Sequence, residues 1–327
     1  MRTTLSVAIT LLAVCAISVR AQGTNDHESG TLTAVPTANP VSPCQDPART
    51  PLERFWELTD AANCGTFGLR GYRPISLSVT AADGVNGTPT SPSAGHTGTP
   101  QAYTNTETRI QLSVRTKVAQ GLLVGGNDER IDSLWFAYSQ QSYWQLFNND
   151  LSRPFRATDH EPELIYILPL RAELPGGWRL AYAGVSANHQ SNGQSLPLSR
   201  SWNRVIGMAG FELGHRWTVN ARLWQRLPEG TAADDNPDIV DKLGRGEVSV
   251  LWNPSIDNSF GMTLRPVLGS GDAGSVRLGW WHRIGTTKNP RSNLRFHTEL
   301  FSGYGDSLVD YNHRRTVLNF GLTLLDW

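Results

Sequence analysis

The chain has 327 residues, with 29 basic and 29 acidic side chains and 39% hydrophobic residues. That length admits one large domain or two smaller ones, and the cancelled charge leaves no electrostatic footprint for a nucleic-acid partner. Eleven Trp are many for such a chain; Trp gathers where one end of a side chain is apolar and the other wet, as at membrane interfaces, with a Trp-rich soluble β protein as the alternative.

Arg2, the apolar run from Leu5 to Ile17 and the small-residue exit at Val19-Arg20-Ala21 read as a secretory signal peptide over residues 1–21. Cys15 falls in that run, but Val14 before it suits lipoprotein cleavage poorly. Residues 22–65 are expected to form a periplasmic N-terminal arm, polar and rich in Thr, Asn and Pro at its start. It carries Cys44 and Cys64, an even count that favours a disulfide in an exported protein, with free thiols as the alternative. Residues 83–105 are dominated by Gly, Thr, Ser and Pro and read as a long loop rather than a linker between domains.

From about residue 108 the pattern alternates. Ile110, Leu112, Val114 and Val118 face away from Arg109, Gln111, Ser113, Arg115 and Lys117. Leu134, Phe136, Tyr138, Trp144 and Leu146 share a face, and so do Trp217, Val219, Ala221, Leu223 and Leu227 against Thr218, Asn220, Arg222 and Arg226. Val276, Leu278, Trp280 and Ile284 oppose Arg277 and Arg283, and Leu318, Phe320, Leu322 and Leu324 line the last segment. Such alternation marks strands with one apolar and one polar face. No stretch of about 18 apolar residues follows the signal, so no transmembrane helix is expected. Roughly twelve strands separated by Gly, Asn, Asp and Pro clusters, in an exported chain, predict an all-β fold: a twelve-stranded antiparallel transmembrane β-barrel over residues 66–327. A β-sandwich with one wet face is the soluble alternative. Aromatic residues near strand ends, and an aromatic C-terminus in Trp327, favour the barrel.

The chemistry is concentrated in Asn188-His189-Gln190-Ser191-Asn192-Gly193 and Ser199-Arg200-Ser201-Trp202-Asn203-Arg204. On a strand, residues i and i+2 share a face, so His189 and Ser191 can sit side by side as a general base and its nucleophile. Asn203, on the next strand, can reach the imidazole and fix its tautomer without placing a charge beside lipid. The same parity carries Ala181, Ala183, Val185 and Ala187, and on the next strand Val205, Gly207, Ala209 and Phe211. An apolar face that turns outward puts all three groups on the barrel exterior, where a substrate would arrive by lateral diffusion. A plain surface hydrogen bond is the alternative for a His beside a Ser.

These two stretches resemble the signature of the bacterial outer-membrane phospholipase A family, and other segments agree in order. They are Ser152-Arg153-Pro154-Phe155-Arg156, Glu161-Pro162-Glu163, Asp234-Asp235-Asn236-Pro237-Asp238, Ser302 to Leu308, and Asp310-Tyr311-Asn312. The resemblance is clear over about residues 130–327. It implies a barrel in the bacterial outer membrane that cleaves acyl chains from phospholipids and is active as a calcium-bound homodimer. His189 would be the base, Ser191 the nucleophile and Asn203 the orienting residue. The backbone N–H of Gly193 would hold the oxyanion. Calcium would take the Ser199 side chain, the Gln194 carbonyl and Ser152 of a second copy. Gln194 stands where the family pattern has Arg, a change a backbone ligand tolerates. Gln140, an amide on the apolar face of Leu134 to Leu146, would bond across the dimer. The expectation is a calcium-dependent serine hydrolase with A1 and A2 activity. Its rivals are a non-catalytic porin or structural barrel, and an esterase of lipopolysaccharide acyl chains or small esters.

Overall fold

The computed structural model describes residues 42–125, 129–231, 233–267, 269, 273–285 and 293–324; the expected signal peptide, most of the polar arm and Trp327 lie outside the described residues. Antiparallel segments form one sheet: β1 (Leu69–Gly71), β2 (Ile75–Ala82), β3 (Thr106–Gln120), β4 (Ser133–Trp144), β5 (Phe155–Glu173), β6 (Arg179–Ser191) and β7 (Ser201–Leu213). It continues through β8 (Trp217–Arg226), β9 (Gly246–Trp252), β10 (Asn258–Pro266), β11 (Gly274–Arg283), β12 (Leu294–Gly303) and β13 (Arg315–Leu324). Each strand from β3 on pairs with the next, β13 pairs with β2, and β2 with β3, so the sheet closes on itself. β1 and β2 both pair with β3, the first opposite Val114 to Thr116, the second opposite Thr106 to Gln111. They are two halves of one strand interrupted at Tyr72-Arg73-Pro74, where Pro74 cannot donate to a ladder. The result is the twelve-stranded antiparallel barrel that the alternation predicts. Closure removes sheet edges, which a lipid environment requires because no water is there to satisfy free backbone groups.

The barrel is apolar outside and charged inside. Leu77, Val79, Leu112, Phe136, Leu164, Val185, Val205, Leu223 and Phe320 are exposed on the outer face. Arg109, Arg115, Lys117, Glu107, Glu163 and Arg315 are buried in the lumen. A buried lone charge is costly and a paired, hydrogen-bonded one is tolerated, and the lumen holds several such pairs. Arg109 and Arg277 share Glu299; Arg156 bridges Glu107 and Asp310; Arg73 and Arg204 share Glu161. Not all the Trp sit at the membrane boundary as the composition suggests. Trp56, Trp135, Trp202 and Trp224 are buried inside, packed edge-on against other rings and beside cations. The outer girdle holds others: Trp217 stacks on Trp252 beside Phe260, and Trp144 meets Phe155 edge-on.

The two barrel ends differ. Residues 174–178, 214–216 and 253–257 are short turns, whereas 83–105, 145–154, 192–200, 227–245 and 304–314 are longer loops. In barrels of this kind the short turns are periplasmic and the long loops extracellular. Near the N-terminus a disulfide joins Cys44 to Cys64 with Cα atoms 5.6 Å apart. Between them lies the short helix α1 (Pro51–Trp56), started by Pro at its first position. Its Leu52 and Trp56, four residues apart and so on one face, enter a core cluster with Tyr72, Trp135, Ile165 and Tyr182. The second half of the expected arm is therefore packed against the barrel. The 83–105 loop lies over the long-loop end: Asn312 donates to Thr90 O at 3.0 Å, Asn148 to Ala102 O at 2.9 Å, and Ser91 to Asp235 O at 2.5 Å.

Candidate active site

β6 and β7 run antiparallel with His189 opposite Asn203 and Ser191 opposite Ser201. Their odd-numbered residues point out and their even-numbered residues in, as the exposure of His189, Val185 and Val205 and the burial of Asn188, Trp202 and Arg204 record. His189 Nδ1 donates to Asn203 Oδ1 at 2.8 Å. That bond leaves Nε2 of a neutral imidazole as the free base. Ser191 shares the face two residues along, but among the described residues no hydrogen bond joins its Oγ to the imidazole. Catalytic contacts of this kind are commonly loose until substrate is present.

The inward residues of the same strands brace the site. Arg204 donates to Asn188 Oδ1 at 2.6 Å and to Glu161 at 3.1 Å, and Asn188 donates to Glu161 at 2.9 Å. Trp202 Nε1 donates to Gln190 at 2.9 Å, with the Arg204 guanidinium 4.0 Å above its ring. Each outward group is thus carried on a strand fixed from behind, which is what a site of defined geometry needs.

Gly193 follows β6 at φ +62°, a left-handed conformation that favours Gly. The 192–200 loop is held by Asn192, which donates to Leu198 O at 2.6 Å and accepts from the N–H groups of Gln194 and Arg200 at 3.3 and 2.9 Å. Arg200 is buried beneath it and donates to Ser199 O at 2.7 Å; burial pushes its pKa down, against the pull of Tyr311 and Asp235. Ser199 Oγ donates to Asp235 Oδ2 at 2.6 Å, and Asp235 also contacts His96 Nε2 at 3.0 Å. Ser199 and Gln194 therefore lie on one loop, with the Asp235 carboxylate against the Ser199 hydroxyl. Ser152 lies on the 145–154 loop, where its carbonyl accepts from Trp144 Nε1 at 2.7 Å. Among the described residues there is no cluster of three or more His, Cys, Asp or Glu that could hold a metal; the expected donors are a hydroxyl and carbonyls.

Gln140 is outward on β4 but is not the lone polar group that its strand alone suggests. Its Oε1 accepts from Tyr138 OH at 3.1 Å and its Nε2 donates to Ser142 Oγ at 3.2 Å. Tyr138 OH lies 2.7 Å from His160 Nδ1, and Ser142 Oγ 3.0 Å from Thr158 Oγ1. The sheet register sets Gln140 opposite His160 and His160 opposite Ser191, so a polar row crosses three strands to Ser191. Reading one strand at a time misses His160, because neighbours across a sheet are far apart in sequence. In the sequence Asp235 stands out only within the family-like segment Asp234 to Asp238, without a role, and Glu229, whose carboxylate accepts from Asn203 Nδ2 at 2.9 Å, carries no signal at all.

A family model described as phospholipase A1 matches residues 52–324. The chain belongs to the phospholipase A1 family. It is 36% identical over 284 residues to a putative phospholipase A1 of Neisseria meningitidis serogroup B, covering 85% of this chain and 70% of that one. It is 34% identical over 224 residues to phospholipase A1 of Escherichia coli, covering 67% and 70%. The barrel is similar to the solved outer membrane phospholipase A from Escherichia coli, with TM-score 0.68 and 30% identity over 80% of this chain and 99% of that one. It is also similar to the Salmonella typhi outer membrane phospholipase dimer with bound calcium, with TM-score 0.69 and 28% identity, covering 81% and 94%. Family membership and the inside-out barrel make this phospholipase A1 family member an outer-membrane protein.

Proposed function

We propose that this chain hydrolyses the acyl ester bonds of glycerophospholipids and lysophospholipids, with both A1 and A2 activity, through Ser191, His189 and Asn203. The observation that carries the proposal is the His189–Asn203 hydrogen bond of 2.8 Å on the outer face, in register with Ser191 two residues on. Ser191 would attack the ester carbonyl while His189 Nε2 takes its proton and then returns it to the departing lysophospholipid oxygen. Asn203 Oδ1 holds Nδ1–H throughout. The Gly193 N–H would donate to the carbonyl oxygen as it gains charge, an interaction worth far more in a water-poor site than in bulk solvent. Water activated by the same imidazole would release the fatty acid from Ser191.

Ser199 Oγ and the Gln194 carbonyl are hard oxygen donors of the type calcium prefers, and the Asp235 carboxylate beside Ser199 gives the loop a negative group. These residues fit a calcium ion, which when bound would supply positive charge beside the oxyanion. The third protein ligand, Ser152, would come from a second copy, so the homodimer would be the active form. Support for both comes from the Salmonella typhi relative, a dimer with bound calcium. The luminal ion pairs and the loop across the barrel mouth argue against a porin.

The test is fatty-acid release from a phospholipid in detergent micelles by refolded protein, with calcium and then with excess chelator. The expected result is release that requires calcium and is abolished in Ser191→Ala. Release that persists in Ser191→Ala would remove the nucleophile from this reading.

A further inference from the structure

A Ser–His–Asn triad contains an ambiguity that an acid in place of Asn would not. An amide is an acceptor at one end and a donor at the other, and nothing in Asn itself decides which end meets the imidazole. If Asn203 turned its amide over, Nδ2–H would face His189 Nδ1. The ring would then carry its proton on Nε2, the atom that must accept from Ser191. The wrong tautomer of a catalytic His is enough to reduce turnover by several orders of magnitude.

We infer that Glu229 is a positioning residue for this reaction, fixing the orientation of the Asn203 amide and through it the tautomer of His189. The inference rests on the triad proposed above. Glu229 Oε1 accepts from Asn203 Nδ2 at 2.9 Å, while Asn203 Oδ1 accepts from His189 Nδ1 at 2.8 Å. The three groups form one chain with a single consistent donor direction. An ionised carboxylate has no proton to give. It can only face the NH₂ end, and a reversed amide would set carbonyl oxygen against carboxylate on one side and N–H against the ring's donor on the other.

The fold delivers Glu229 to this place. The β7–β8 ladder continues one step past β8, with Leu227 N–H donating to Asn203 O at 2.8 Å, and Pro228 then turns the chain. Arg226, at the end of β8, contacts Glu229 Oε2 at 3.3 Å and Asp234 Oδ1 at 2.6 Å, and also donates to the carbonyls of Asn236 and Pro237. Glu229 and Arg226 are both mostly buried, at 16% and 10% side-chain exposure. The carboxylate is thus itself held, on the loop that follows β8. The imidazole keeps a neutral neighbour while a negative charge stands one amide away, polarising Oδ1 towards Nδ1–H.

The test uses refolded full-length dimer with calcium and a phospholipid in mixed micelles, reading kcat and KM separately. Glu229→Ala should lower kcat tenfold or more with KM unchanged, and Glu229→Gln, whose amide oxygen can still accept from Asn203, should restore most of that loss. The second arm changes the partner. Asn203→Asp places two carboxylates in contact and should be strongly impaired; adding Glu229→Gln, which offers an N–H to the new carboxylate, should raise its kcat at least tenfold. Improvement of one variant by a second substitution at Glu229 is not what a merely structural residue would give. A Glu229→Ala protein with kcat within twofold of the parent, or an Asn203→Asp protein indifferent to Glu229→Gln, overturns the assignment. Ser191→Ala, run alongside, separates the two levels: retained activity there sinks the triad itself, whereas loss there with a normal Glu229→Ala sinks only the role of Glu229.

Discussion

The two faces of the same strands handle polarity in opposite ways. On the lumen side of β6 and β7, Arg204 and Asn188 meet Glu161 in a network of full charges. On the outer side, the polar groups are His189, Ser191 and Asn203, continued across β5 and β4 by His160, Thr158, Tyr138, Gln140 and Ser142, and none of these is an acid or a permanent cation. The difference follows from what each face can supply. Inside, charges such as Arg109, Arg156 and Arg204 find an opposite charge at hydrogen-bond distance. Outside, the neighbours are acyl chains, and an unpaired carboxylate there is costly. In the proposed triad an Asn orients the base with half of an acid's chemistry and none of its charge. The lumen therefore holds the barrel together while the outer row carries the proposed chemistry, a division that substitutions on either side should expose.

The largest effect is expected on the outer face. His189→Ala should lower turnover at least about a thousandfold while leaving the barrel folded, read as phospholipid hydrolysis beside unfolding in urea. A loss of stability matching the loss of activity would mean that His189 is structural and that the two faces are not divided as described. The lumen should answer in the other currency. Glu299 pairs with Arg109 at 2.7 Å and with Arg277, and accepts from Asn319 at 3.1 Å. Glu299→Ala leaves Arg109 buried without its counter-charge, a change of about 3–5 kcal/mol in such settings. The urea midpoint should fall accordingly, with kcat per folded molecule unchanged. A kcat that fell with it would show the lumen coupled to the site.

Much of this division was legible in the sequence, and the unread part has a common cause. Period-two alternation fixes which face each residue takes, so the inward Arg109, Arg115 and Lys117 and the outward His189, Ser191 and Asn203 could be placed before any coordinates. The short i, i+2 spacing of His189 and Ser191 needs no long-range information. What alternation cannot supply is register between strands. His160 stands opposite Ser191 across 31 positions of chain, and only pairing reveals it. Loops are harder still, having no period. Asp235 reaches Ser199 from the 227–245 loop and Glu229 reaches Asn203 from the same segment, and both contacts depend on how that loop folds back over β7. The Trp count misled in part for a related reason: composition does not distinguish Trp217, in the girdle, from Trp202, in the lumen.

The smallest effect belongs to Gln140, and it tests whether the outer polar row serves a second copy of the chain. Within one chain the Gln140 amide already accepts from Tyr138 and donates to Ser142, which leaves one amide hydrogen and one lone pair for a partner. A hydrogen bond between membrane-embedded side chains contributes about 0.6–2 kcal/mol, less than a lipid-facing orphan would suggest, because the monomer offers alternatives. Gln140→Ala should therefore weaken dimers roughly three- to thirtyfold, read as cross-linking yield against protein concentration in calcium, without changing kcat once dimers are saturated. An unchanged yield would assign Gln140 to the local network of Tyr138, Ser142 and His160 alone, and the outer row would then be a device of the single barrel.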